Sequence, residues 1–260
     1  MAAAIVLGLL GCAALLPYVL GPPLVFAMLR FKLPVEVFAI DPAKERLPEE
    51  VRRYFGDVFT ALARNGFELV STIVLPALVP DVRSIVAVYA NRSTGDQAMS
   101  TIIVATGGIE TLKTRYVEFV TRFDDGVVVQ TNNSPELGAF KPLPQEHTTQ
   151  FRDIHDLDRL YKLHGFLAQK YRRSGRPLLR LDAEFHGNAV EYVSRVVLDE
   201  TLRAQVETGY LAPTPEGLRA TLRGACIMAW QEAWPAKAIR RRLCQRNAEQ
   251  VLAEFEAAGG

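Results

Sequence analysis

Charge is absent from the start of this chain: no Asp, Glu, Lys or Arg occurs before Arg30. A cleavable secretory leader carries basic residues ahead of a short apolar run, so the missing basic segment argues for retention of these residues over cleavage. Other absences narrow the chemistry. Three cysteines, Cys12, Cys226 and Cys244, show no Cys-x-x-Cys spacing, which gives neither a disulfide framework nor a zinc site. The four histidines, His147, His155, His164 and His186, include no i, i+4 pair and no His-Glu-x-x-His pattern. There is no Gly-x-Ser-x-Gly elbow, no phosphate loop and no internal repeat, and no cofactor is implied. The balance of 30 Lys and Arg against 29 Asp and Glu, a net charge of +1, supplies no global attraction to nucleic acid.

What is present at the start is a long apolar run. Ala2 to Gly21 has the roughly twenty residues that span a hydrocarbon core about 30 Å thick. Pro22-Pro23 is expected to end or kink that helix. The tetrapeptide Leu9-Leu10-Gly11-Cys12 resembles a lipoprotein cleavage box, although the continuing apolar run counts against it. Arg30, Lys32, Lys44 and Arg46 follow the run, and the bias of basic residues to the cytoplasmic flank predicts a single-pass membrane protein with a cytoplasmic body. The expected partner of residues 2–29 is therefore the lipid bilayer.

The remaining 31–260 segment has room for one large or two small domains. Residues 31–46, with Pro34 and Pro42, read as an extended connector in which Val35, Val37 and Phe38 supply an edge strand. A helix is predicted from Pro48: Glu49 and Glu50 suit its first turn, Val51, Tyr54, Phe55, Val58, Phe59 and Leu62 recur at helical spacing, and Asn65-Gly66 stops it. Runs rich in Val, Ile, Thr and aromatics then read as strands over 67–75, 82–89, 98–106, 112–123 and 127–131. Asp124-Asp125-Gly126 marks a hairpin, and the short connections predict an antiparallel meander of four or five strands. A long polar loop covers 132–150, and a second amphipathic helix runs from about Asp153 to Arg173. Helices are expected from Leu181 to Gly209, from Thr221 to Trp234 and from Pro235 to Ala257. The expected fold class is α+β: a transmembrane anchor (1–30), an α+β domain with an antiparallel sheet and two helices (31–176), and a helical C-terminal subdomain (177–260).

Two groups of residues suggest function. Trp230 and Trp234 share a helix face and are followed by Lys237, Arg240, Arg241 and Arg242, a composition suited to an amphipathic helix on a membrane surface with anionic headgroups. The competing reading makes the tryptophans core and the arginines a solvated face, and Lys170, Arg172, Arg173, Arg176 and Arg180 pose the same choice. The second group is Asp124, Asp125, His147 and His155 around the 132–150 loop, with Asp156 and the amides Asn132 and Asn133 nearby. Paired carboxylates and histidines can perform acid–base work, though turn chemistry explains the Asp and Asn pairs without it. His164, on an apolar helix face, reads as a hydrogen-bonded core residue. The leading expectation is a membrane-anchored binding or scaffold protein for an undefined protein or small-molecule partner. The alternative is a membrane-attached hydrolase. A winged-helix reader is a minor alternative, disfavoured because Leu198 to Thr208 carries Asp199, Glu200 and Glu207 against Arg203 alone.

Overall fold

The computed structural model describes residues 16–42, 44–45, 47–75, 82–105, 111–140 and 142–260. The chain divides into two compact units, each discontinuous in sequence: unit 1 comprises Met1–Val35, Gly138–Lys141 and Leu198–Cys244, and unit 2 comprises Glu36–Leu137, Pro142–Val197 and Gln245–Gly260.

Unit 2 is built on one seven-stranded sheet. Its strands are β2 (Phe38–Ile40), β3 (Glu68–Leu75), β4 (Val82–Asn91), β5 (Asp96–Ala105), β6 (Thr111–Arg122), β7 (Val128–Asn132) and β8 (Glu146–Gln150), in spatial order as numbered. Alternation along the strands fixes two faces. Ile85, Ala87 and Tyr89 of β4, Ala98 and Ile102 of β5, Val117 and Phe119 of β6, and Val129 of β7 join one buried cluster. Helix α2 (Glu49–Arg64) closes it with Val51, Phe55, Val58 and Leu62, and α3 (Leu157–Tyr171) with Leu160, Leu163 and Leu167. Val86, Val88, Val120 and Val128, on the opposite face, are buried as well. Coverage of both faces explains why these strands read as nearly continuous apolar runs. The Asp124-Asp125-Gly126 turn joins β6 to β7 as expected, with the Gly126 amide donating to the Phe123 carbonyl (3.0 Å).

The α+β class stands, and three expectations require correction. The sheet has seven strands where a meander of four or five was expected, and it is mixed, because β8 pairs parallel to β7 with His147 opposite Val129. Residues read as loop thus form a strand, made possible by a crossover long enough to return the chain in the same direction. The C-terminal third is not purely helical. After α4 (Arg180–Ala183) and α5 (Ala189–Tyr192), the helix continues through a π-helical stretch, Val193–Glu200, into α6 (Thr201–Glu207); a hairpin of β9 (Leu211–Thr214) and β10 (Gly217–Ala220) then precedes α7 (Leu222–Glu232) and α8 (Ala236–Ala257).

The third correction concerns the anchor. Residues 1–15, most of the expected span, lie outside the described residues. Residues 16–28 form a helix, here α1, that runs through Pro22-Pro23 without ending there. At about 1.5 Å per residue its described residues cover roughly 20 Å, and the chain passes directly into β1 (Arg30–Lys32). Among the described residues no helix is long and apolar enough to cross a membrane, which overturns the single-pass anchor and the cytoplasmic placement that depended on it.

Unit 1 has its own core. β1, β10 and β9 form a three-stranded antiparallel sheet in that order. Phe31, Leu211, Leu218 and Ala220 from its strands pack with Leu202, Tyr210, Ala225 and Met228, and with Val25 and Leu29 from α1 and its end. Gly217 is required where β10 meets β1: its φ is +145°, and a Cβ there would collide with the Phe31 carbonyl oxygen. Thr221 caps α7 by accepting from the Gly224 amide at 2.8 Å.

Candidate functional site

The surface of unit 1 departs furthest from an ordinary globular protein. Along α1, Tyr18, Gly21, Pro22 and Val25 turn inward, while Leu16, Val19, Leu20, Leu24, Phe26 and Met28 are exposed. Leu16, Leu20, Leu24 and Met28 follow a four-residue spacing, so they line one outward helix face that carries no charge. Isolated exposed leucines are common, but a contiguous apolar face of this kind is unusual on a monomeric protein's surface.

The tryptophans adjoin this helix. Pro22 has no N–H, so the Tyr18 carbonyl four residues earlier loses its helical donor. The Trp230 indole Nε1–H supplies one at 3.0 Å, and the Tyr18 hydroxyl donates to the Trp234 carbonyl at 2.7 Å. Gly21 permits the approach, since a Cβ there would lie 3.0 Å from that of Ala229. With its N–H satisfied, Trp230 remains 44% exposed, and Trp234 is 76% exposed. Neither is a core residue. Ile239 and Leu243 on α8 are also exposed, at 57% and 58%.

The basic residues beside them behave less simply than the sequence suggests. Lys237 pairs with Glu232 at 2.6 Å, Arg240 donates to the Gly138 carbonyl at 2.8 Å and lies 3.8 Å from Glu232, and Arg241 is half-buried. Arg242 alone of the four is exposed. The other basic cluster is dispersed: Lys170 pairs with Glu254, Arg172 donates to the Gly175 carbonyl, and Arg180 pairs with Glu184.

In unit 2, Asp124, Asp125 and His147, three of the expected acid–base residues, make local contacts. Asp124 accepts from the Arg176 amide at 2.9 Å; Asp125 accepts from the Val127 and Gly175 amides, each at 3.2 Å. His147 lies toward the same end of β7 but stacks on Tyr171, ring centroids 4.0 Å apart. His155 is exposed near the other end, where Asn133 donates to the Ile154 carbonyl and Asp156 caps α3. Among the described residues, no group of His, Cys, Asp and Glu has the geometry to hold a metal ion.

A polar network that sequence reasoning largely missed lies inside the core. His164 is fully buried; its Nε2 is 2.8 Å from the Thr121 hydroxyl and its Nδ1 3.0 Å from that of Thr131. Thr121 donates to Asp96 Oδ1 at 2.5 Å, and Tyr161 and Thr94 donate to Oδ2 at 2.7 and 2.8 Å. Because Thr121 gives its proton to Asp96, His164 Nε2 must donate to Thr121, and Nδ1 accepts from Thr131: a neutral imidazole in one tautomer closes the network. Burial holds the His164 pKa down to about 4, against the pull of Asp96. Across the sheet, burial pushes the Glu118 carboxyl up to about 7, opposed by a 3.3 Å hydrogen bond from Asn132. The only advance signal was His164 on an apolar helix face; Asp96, Thr121 and Glu118 sit in strands with nothing local to mark them.

Comparison with protein-family models, with curated proteins and with solved structures yields no match in any of the three. Fold and surface therefore define a class only: an α+β protein with a mixed seven-stranded sheet and an apolar surface bordered by two tryptophans.

Proposed function

We propose that the chain is a binding protein that rests on a lipid surface through unit 1, with α1 and the Trp230–Trp234 segment as the contact. The observation that carries this reading is the uncharged outward face of α1 with an exposed indole ring beside it. Tryptophan favours the headgroup level and aliphatic side chains the layer beneath, so this composition matches an interface lying along a bilayer. The contact proposed is peripheral. No observation favours the hydrolase alternative, since Asp124 and Asp125 are engaged by backbone amides and His147 by Tyr171.

Co-sedimentation of the full chain with phosphatidylcholine vesicles, with and without phosphatidylglycerol, tests the reading. Leu20→Asp with Leu24→Asp places charge on exposed positions, so the fold is retained while binding to both vesicles is lost. Undiminished binding by that variant would contradict the proposal.

A further inference from the structure

The outward face of the unit 1 sheet holds a charge arrangement that folding does not explain. Arg30 of β1 and Arg219 of β10 are direct register partners, and both are exposed. Like charges directly opposite across an antiparallel pair repel. Among the described residues neither guanidinium has a carboxylate partner. Lys32, two residues along the same strand, is exposed as well, and the third strand offers only Ala212 opposite Arg219. The single acid between Leu211 and Ala220 is Glu216, in the turn at the Lys32 end.

The position of the pair is informative. The Arg219 guanidinium lies 5.6 Å from the ring centroid of Phe26, which belongs to the exposed side of α1. Arg30 follows the last turn of that helix by two residues. The paired arginines therefore stand at the C-terminal end of α1, a place suited to headgroup-binding residues if the exposed side of that helix lies among acyl chains. Guanidinium groups bind phosphate through paired N–H donors, and an anion between two of them would turn repulsion into attraction.

We infer that Arg30 and Arg219 form a site for the phosphate of an anionic lipid headgroup. The inference rests on the lipid-surface reading above but concerns different residues, so the two fail separately. In the test, the full chain and its Arg30→Gln/Arg219→Gln variant are partitioned onto phosphatidylcholine vesicles with and without phosphatidylglycerol. A basic residue at an anionic surface is worth about fivefold in binding, so the double variant should bind anionic vesicles about 30-fold more weakly and neutral vesicles unchanged. Thermal melting provides the folding control: with the repulsion removed, the variant melts no lower than the parent. Equal partition of parent and variant onto anionic vesicles overturns the arginine site and leaves the lipid reading intact. Failure of the parent to bind either vesicle overturns both. Inorganic phosphate, added against chloride of equal ionic strength, should compete for the site and release the parent from anionic vesicles more than it releases the double variant; equal release of the two would overturn the arginine site.

Discussion

Acidification from pH 6.5 to 4.5 should change the stability of unit 2 less than either group alone would, because a buried histidine and a half-buried glutamate titrate in opposite senses. His164 falls from 6.5 to about 4 on folding, so in this interval the unfolded chain holds a proton that the folded chain lacks, and stability is lost as the pH falls. Glu118 rises from 4.5 to about 7, so there the folded chain holds the extra proton and stability is lost as the pH rises. One proton across two pH units is worth about 2 to 3 kcal/mol, and the two slopes oppose each other. The carboxyls of Glu184 and Glu254 are held low by hydrogen bonds from Arg180 and Lys170, so their contribution is lost as the pH falls. Single substitutions expose each slope. Glu118→Gln should lose about 2 kcal/mol between pH 6.5 and 4.5, and His164→Gln should gain about 2 kcal/mol over the same interval. Urea unfolding followed by far-ultraviolet circular dichroism at several pH values measures both. Three parallel stability profiles, for the parent and the two variants, would refute the assignment of opposed protons to these groups.

Thr121→Val removes the hydroxyl between His164 and Asp96 and leaves buried polar atoms unpaired, so it should cost about 1 to 3 kcal/mol in the same urea assay. Gly217→Ala forces a side chain against the Phe31 carbonyl at φ +145° and should destabilise unit 1 by about 1 to 3 kcal/mol, seen as a lower melting temperature. Asp125→Ala removes the acceptor for the Val127 and Gly175 amides and should cost about 1 kcal/mol; a loss of catalytic turnover in a variant that keeps its parent's melting temperature would instead favour the hydrolase reading.

Elements with strong local signals were legible in the sequence. Glu49 and Glu50, the apolar stripe to Leu62 and the Asn65-Gly66 stop located α2, and Asp124-Asp125-Gly126 located the β6–β7 turn. Strand β8 was not legible, because Glu146-His147-Thr148-Thr149-Gln150 has no apolar alternation and forms only by pairing with β7. The anchor was misread because apolar length alone was counted. Pro22 was treated as a stop, whereas the indole of Trp230, more than two hundred residues away in sequence, satisfies the carbonyl that Pro22 frees. The Trp230–Arg242 segment was recognised by its composition, yet the pairing of Lys237 and Arg240 with Glu232 depends on tertiary geometry. Arg219 gave no signal alone, since its meaning comes from the strand register that sets it beside Arg30.

If unit 1 rests on lipid, the chain carries its own probe for the contact. Its two tryptophans, Trp230 and Trp234, both lie at the proposed contact and are both exposed. Tryptophan emission of the full chain, recorded as phosphatidylglycerol-containing vesicles are added, is the most direct measurement. Contact with lipid should give a blue shift and quenching by lipids brominated near the headgroup end of the acyl chain. Emission that keeps its wavelength and resists that quencher at saturating lipid would contradict it.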